Sequence, residues 1–376
     1  MTLALRNANI VLPDRTIFGS LTASDEVINA VDEAGSGSVG IDCEGDYIIA
    51  GLVELHTDQL ENHYRPRPGV FWEPMAALQS HDAQIAASGI TTVFDAVRLG
   101  SDPDLPEMHV HIERMLTAIR RGREDGRLRA EHFVHLRCEL PSSDVVEHFE
   151  AYADHESTQL ASLMDHTPGQ RQFRSVEAFR RFYAKNRTPE ELDAYVEARL
   201  EEQRRYSADN RAALVSAARQ LQLPLASHDD TTLEHVEQAV ADSIDITEFP
   251  TTLEAAAAAH SAGLAVLMGA PNVVRGRSHS GNISALDLAA AGLLDVLSSD
   301  YVPFALMQAA FQLPQKLPDL PLHAALAMVT LTPAEAAGLD DRGAIAPGKR
   351  ADLVRVSLID GAPVVRAVWR GGERIC

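Results

Sequence analysis

Lysine is nearly missing from this sequence: Lys185, Lys316 and Lys349 are the only three among 33 basic residues. Any anion-binding surface must therefore be built from arginine, whose planar fork suits phosphate and carboxylate. Cysteine is equally scarce. Cys43, Cys138 and Cys376 are odd in number and far apart, which excludes a disulfide framework. No apolar run approaches the ~20 residues that span a bilayer. The start, MTLALRNANIVLPDR, lacks the charged-then-apolar order of a secretory signal, so a cytoplasmic protein without a membrane segment is expected. Basic charge is in deficit as well. A net charge of −21 argues against general nucleic-acid binding, which needs a basic footprint. Neither GxxxxGK[ST] nor a helix-opening GxGxxG occurs, so the P-loop and the dinucleotide fingerprint are excluded.

What is present is ordinary globular composition over 376 residues, 45% apolar and 23% charged, enough for a large core. Short apolar runs alternate with helical patterns, the signature of βα units on a parallel sheet. Eight runs read as strands: AGLVELH, TTVFDAV, HFVHLRCEL, LASLMDH, LPLASHD, SIDITEF, LAVLMGAP and DVLSSDY. Between them MAALQSHDAQIAASG, LPEMHVHIERMLTAIRRG and LEAAAAAHSAG read as helices, and the charged insertion near 171–210 reads as one or two solvated helices. The two ends are β-rich, with PGK, DGAP and RGG turn signals in the C-terminal segment. The expected fold is α/β. A (β/α)8 TIM-type barrel over residues 51–335 carries a small β-sandwich domain built from 1–50 and 336–376.

The polar residues fall where such a barrel puts its active site, at the C-terminal ends of the strands. His56 and Asp58 close the first strand, Asp95 the second, Glu139 the third, Asp165 and His166 the fourth. His228 with Asp229 close the fifth, Glu248 the sixth and Asp300 the eighth. Residues 56 and 58 share one side of a strand, so both can grip one cation. Glu139, in LRCEL, needs a partner for a buried carboxylate, either a metal or an arginine such as Arg137 or Arg98. His56, Asp58, Glu139 and His228 are the expected ligands of a divalent metal, one or two ions, zinc first and manganese or iron as alternatives. Asp300 is the expected proton acceptor. His166, Asp165 and Glu248 are left for a second metal or for substrate.

Arginines recur in Gly/Pro-framed loops: His63-Tyr64-Arg65-Pro66-Arg67-Pro68-Gly69, His166-Thr167-Pro168-Gly169-Gln170-Arg171, and the segment from Gly269 to Asn282 with Arg275, Arg277 and His279. Guanidinium forks, hydroxyls and backbone N–H groups in such loops suit a phosphate chain. Arg65, Arg67, Arg171, Arg275, Arg277 and His279 are therefore the expected substrate-binding residues.

GLVELHTD after a small β unit, with APGKRADLV near the end, resembles the amidohydrolase superfamily of metal-dependent barrel hydrolases. ELHTDQLENHYRPRPGVFW, SLMDHTPGQRQF, GAPNVVRGRSHSGN and LLDVLSSDYVP resemble its phosphonate-utilisation branch, the triphosphate diphosphatases of the carbon–phosphorus lyase pathway. That resemblance implies cleavage of a phosphorylated ribose, a 5-triphosphate, between its α and β phosphates with release of pyrophosphate. The superfamily's first-strand HxH is here His56-x-Asp58, Glu248 stands where a sixth-strand histidine is common, and no strand-end lysine can carry a bridging carbamate. The resemblance leaves Glu139 for the bridging role and His166 to complete a second site. The alternatives are C–N bond hydrolysis, as by a deacetylase or cyclic amidase, and an inactive barrel used for assembly. Homo-oligomerisation is compatible with the sequence.

Overall fold

The computed structural model describes residues 2–33, 39–101, 109–171, 175–183, 187–278 and 281–376. Two eight-stranded sheets organise them. The first is built from both ends of the chain: β1 (Leu3–Val11), β2 (Thr16–Ser24), β3 (Val27–Glu33), β4 (Ile41–Asp42) and β5 (Tyr47–Ala50), then β14 (Leu353–Ile359), β15 (Ala362–Arg370) and β16 (Glu373–Arg374). β14 pairs antiparallel with β5, and this ladder joins the C-terminal strands to the N-terminal ones. Leu5, Ile10, Leu21, Ile48, Leu353 and Trp369 form its own apolar core.

The second sheet is the barrel. Its parallel strands are β6 (Leu52–Thr57), β7 (Ile90–Leu99), β8 (Glu131–Glu139), β9 (Thr158–Met164), β10 (Leu225–His228), β11 (Ile246–Glu248), β12 (Ala265–Gly269) and β13 (Val296–Ser298). All eight expected runs are strands, each followed by helix. They read as near-continuous apolar runs because both faces are covered. Val53, Leu55, Phe94, Phe133, Leu160, Ile246, Leu267 and Val296 fill the interior, while Val93, Val134, Leu136 and Leu163 face the helices. The insertion forms helices Val176–Tyr183 and Pro189–Leu221, the latter opened by a Thr188–Glu191 capping box.

The barrel closes between β13 and β6 through an isolated bridge, Thr57 to Asp300, with Asp300 N–H donating to the His56 carbonyl (3.1 Å) and Asp58 N–H to the Asp300 carbonyl (3.0 Å). Buried Glu54 staples the same seam, accepting from the backbone N–H groups of His56 (2.7 Å) and Ser299 (2.5 Å). Gly51 permits the approach of the first barrel strand, because a Cβ there would lie 2.2 Å from Thr91 Oγ1.

Candidate active site

Five strand ends meet at the barrel mouth around Glu248. One carboxylate oxygen of this fully buried side chain lies 2.9 Å from His56 Nδ1, and the other 3.1 Å from His228 Nδ1. Burial alone would raise the Glu248 pKa, but the charge of the facing His56 and the hydrogen bonds of the His228 and His56 rings hold it well below the usual carboxylate range. His56, His135 and Glu248 bring one ligand atom each within 4.8 Å of one another, and so do His166, His228 and Asp229. Glu248 bonds a histidine of each group and so joins the two. Phe249 packs edge-on against both His56 and His228, fixing their rings.

His135 tests whether this cluster fits a metal. Its Nδ1–H donates to the Leu55 carbonyl (2.9 Å), which leaves the lone pair on Nε2, a buried atom without a partner. Burial pushes its pKa down to about 3, so the ring is neutral. A neutral imidazole oriented by a backbone carbonyl is the form that binds a cation. Asp229 Oδ2 in the second group is likewise buried without a hydrogen bond, 3.6 Å from His228 Nε2. The donor set, imidazoles with carboxylates, suits zinc, manganese or iron. The residues fit a divalent cation.

Asp58 and Glu139 stand one step outside these groups. Asp58 accepts from Arg137 at 2.6 Å and lies 3.6 Å from His56 Nε2. Glu139 lies 2.6 Å from His166 Nδ1, accepts from the His166 N–H at 3.0 Å and from Arg98 at 3.2 Å. Burial opposes the charge on both carboxylates, and the nearby guanidiniums and histidines outweigh it, so both lie well below the usual range. Asp300 sits in the left-handed region (φ 57°) at the end of β13. Burial, then the charge of Asp58, raises its pKa.

Set against expectation, His56 and His228 enter the two groups, as do His166 and Glu248. Asp58 and Glu139 hold arginines, the alternative that the sequence left open for Glu139. Three expectations need correction. Asp165 turns away: its carboxylate accepts from the Thr167 N–H (3.0 Å) and the Ser207 hydroxyl (3.4 Å), tying a turn to the long helix. Arg171 is not an open loop arginine but is buried against Asp230 (2.5 Å) and the His228 carbonyl (2.9 Å), where it braces β10. Asp95 does not end its strand, because β7 runs on to Leu99 and Asp95 faces the helix layer. Arg67, Arg275 and Arg277 are exposed, Arg65 is half-buried beside the Phe71 ring, and His279 lies outside the described residues. Two residues of the groups were not among the expected ligands: Asp229, read only as a strand end, and His135, which was missed altogether. The signal was there, since counting back by twos from Glu139 gives Arg137, His135 and Phe133 on one face.

Comparisons with known proteins point to one family. Residues 47–375 match the Amidohydrolase family. The chain is 44% identical over 375 residues, 99% of either protein, to the alpha-D-ribose 1-methylphosphonate 5-triphosphate diphosphatase of Escherichia coli (strain K12). It is similar in fold to N-acetylglucosamine-6-phosphate deacetylase from Pasteurella multocida (TM-score 0.63, 14% identity, covering 100% of this chain and 99% of that one). It is also similar to 5-methylcytosine deaminase from Klebsiella pneumoniae (TM-score 0.66, 15% identity, 100% and 98% covered). Strand-end histidines and carboxylates on a closed parallel barrel, under a family match across most of the sequence, place this chain in the amidohydrolase family.

Proposed function

We propose that this protein is a metal-dependent hydrolase that converts alpha-D-ribose 1-methylphosphonate 5-triphosphate to the 5-phosphate and pyrophosphate, in phosphonate catabolism. The observation that carries the reading is the pair of histidine–carboxylate groups joined by Glu248 in one buried mouth, on a chain similar throughout to a diphosphatase. His56, His135 and Glu248 would hold one cation, and His166, His228 and Asp229 a second, with zinc the first candidate. When bound, such a cation supplies Lewis-acid charge and an acidified water.

The chain's own groups do the rest. A carboxylate oxygen of Asp300 takes the proton from the water as the water oxygen bonds to the α phosphorus and the bond from that phosphorus to the bridging oxygen breaks. Pyrophosphate departs with the bridging oxygen. Its raised pKa suits a group that must bind a proton and then release it. Asp58 and Glu139 orient His56 and His166, and Phe249 keeps bulk water from the faces of the His56 and His228 rings. The deacetylase and deaminase similarities, at 14% and 15% identity, speak to fold alone and do not favour C–N hydrolysis.

The test is pyrophosphate release from the ribose triphosphate, measured beside the metal content of the purified protein. Pyrophosphate release should be abolished by chelation and restored by zinc or manganese. Full activity in chelated, metal-free protein, or no pyrophosphate from the metal-loaded enzyme, overturns the reading.

A further inference from the structure

Arg98 and Arg137 are direct partners in the β7–β8 ladder. Each stands four residues beyond a phenylalanine of the barrel interior, Phe94 or Phe133, so alternation places both on the inner face of the wall. Each keeps part of its side chain open, 29% for Arg98 and 15% for Arg137. Each also connects through a carboxylate to one of the two histidine groups. Arg137 reaches His56 through Asp58, and Arg98 reaches His166 through Glu139. The wall thus carries two neighbouring guanidiniums, one leading to either group.

Two like charges on adjacent strands repel unless anions answer them. Asp58, Glu61, Glu248 and Asp300 act on Arg137, and Glu139 on Arg98; Glu248 among them belongs to the group that would hold a cation. A guanidinium offers five N–H donors in a fixed fork, and Arg137 spends Nη1 on Asp58 while part of its side chain stays open to the mouth. The other arginines are placed differently. Arg171 is committed to Asp230, while Arg67, Arg275 and Arg277 lie exposed on loops.

We infer that Arg98 and Arg137 form the pyrophosphate-binding element of the site, a double fork that receives the β and γ phosphates of the substrate. Specificity for a triphosphate over a neutral amide then comes from the barrel wall and not from the loops around it. This rests on the triphosphate reading above and names where that substrate's charge is held. Such contacts stabilise charge on the leaving group as well as bind it.

The experiment is titration calorimetry of the metal-loaded protein with inorganic pyrophosphate, for wild type and for Arg98→Met, Arg137→Met and the corresponding Lys variants. Metal content is measured on the same samples. Each Met variant should weaken pyrophosphate about ten- to hundredfold with metal retained, the range for a hydrogen bond to a charged group, and Lys should recover part of the loss. Should the Met variants fail to fold, the Lys variants decide: weakened binding with metal retained supports the inference, and unchanged binding overturns it. Loss of metal in both Met and Lys forms also overturns it, because the arginines would then only support Asp58 and Glu139. Wild-type turnover is scored separately. Arginine-dependent pyrophosphate binding without turnover sinks the catalytic reading alone, and turnover with arginine-independent binding sinks this inference alone.

Discussion

The barrel wall carries buried histidine–carboxylate clusters on both of its faces, and they are not alike. Inside are the groups joined by Glu248. Outside, between the wall and the helix Pro74–Ala87, His81, Asp95 and His132 also bring ligand atoms within 4.8 Å of one another, all fully buried. The outer cluster answers its own charges. Asp95 accepts from His81 (2.7 Å) and His132 (2.8 Å), and Asp82 accepts from the N–H groups of Arg129 and Ala130 (both 2.9 Å) and from the Arg129 guanidinium (3.0 Å). Its leftover nitrogen, His81 Nδ1, belongs to a ring whose Nε2 already holds Asp95. The inner cluster leaves His135 Nε2 and Asp229 Oδ2 without a hydrogen bond, the latter 3.6 Å from His228 Nε2. Residue types are the same on both faces, and His166 alone among these residues is partly exposed. A carboxylate oxygen left without a hydrogen bond at the strand ends, beside a bare imidazole nitrogen, is what separates the inner site from the outer brace.

Altering one charge on each face separates their roles most strongly. Asp300→Asn, on the inner face, should lower kcat by about 10²- to 10⁴-fold, the usual weight of a general acid/base, with thermal stability and metal content near wild type. Loss of metal in that variant would make Asp300 chiefly a ligand, and near-normal turnover would remove it from the mechanism.

On the outer face, burial would lower the His132 pKa, but Asp95 and Asp82 outweigh it and raise it to about 9. The imidazolium is the cation between two buried carboxylates. His132→Gln removes the cation they share, leaving Asp95 only His81 and Asp82 only Arg129 and backbone N–H groups, and should cost about 3 kcal/mol of stability, while kcat/KM of the folded enzyme stays close to wild type. Denaturant unfolding with parallel kinetics checks this. A kinetic loss without a stability loss would erase the distinction between the two faces.

Linkage sharpens the same contrast at a smaller scale. A group whose pKa is raised on folding stabilises below its unfolded value, and that contribution is lost as pH rises through the folded value. His132 should therefore cause stability to fall between about pH 6.5 and 9, by no more than about 3 kcal/mol. Its neighbour Glu131 gives the opposite sign. Burial opposes its charge, but Arg350 and Arg342 outweigh that and hold it at about 2. This contribution, again at most about 3 kcal/mol, is present above the ordinary glutamate range and is lost as pH falls towards 2. Urea midpoints across pH for wild type, His132→Gln and Glu131→Gln should show each limb flatten in its own variant. A limb that survives its variant belongs to another group.

The two faces also explain what the sequence disclosed. The strands were legible because each is a short apolar run bounded by polar residues, and the strand-end positions of His56, Glu139, His228, Glu248 and Asp300 followed from them. Face was harder to read. A strand buried on both sides has no polar-apolar alternation to mark its inner side, so Asp95 looked like a strand end when it is mid-strand and outward. His135 was hidden for the same reason, inside an apolar run with His132 on the opposite face. Partners from distant strands, such as Asp230 for Arg171, carry no local signal at all.

The smallest effect belongs to the exposed loop arginines, and it bounds the comparison from outside. Arg67, Arg275 and Arg277 lie in open loops, and Arg275 and Arg277 flank Gly276 along a shallow groove that also includes Ser278, Asn282 and Asp287. A charge in such a place acts through water and is screened within about 8 Å at physiological salt. Its removal should change kcat/KM by less than about fivefold, the equivalent of ~1 kcal/mol for an exposed ion pair. Raising the salt should remove even that, because what remains is long-range attraction of a polyanion. Arg98→Met and Arg137→Met, set into the wall, should keep their larger effect in the same salt. Kinetics of all five variants at two ionic strengths would separate the classes. A salt-insensitive loss of tenfold or more at Arg275 or Arg277 would move the phosphate contacts out of the wall and onto the loop after β12.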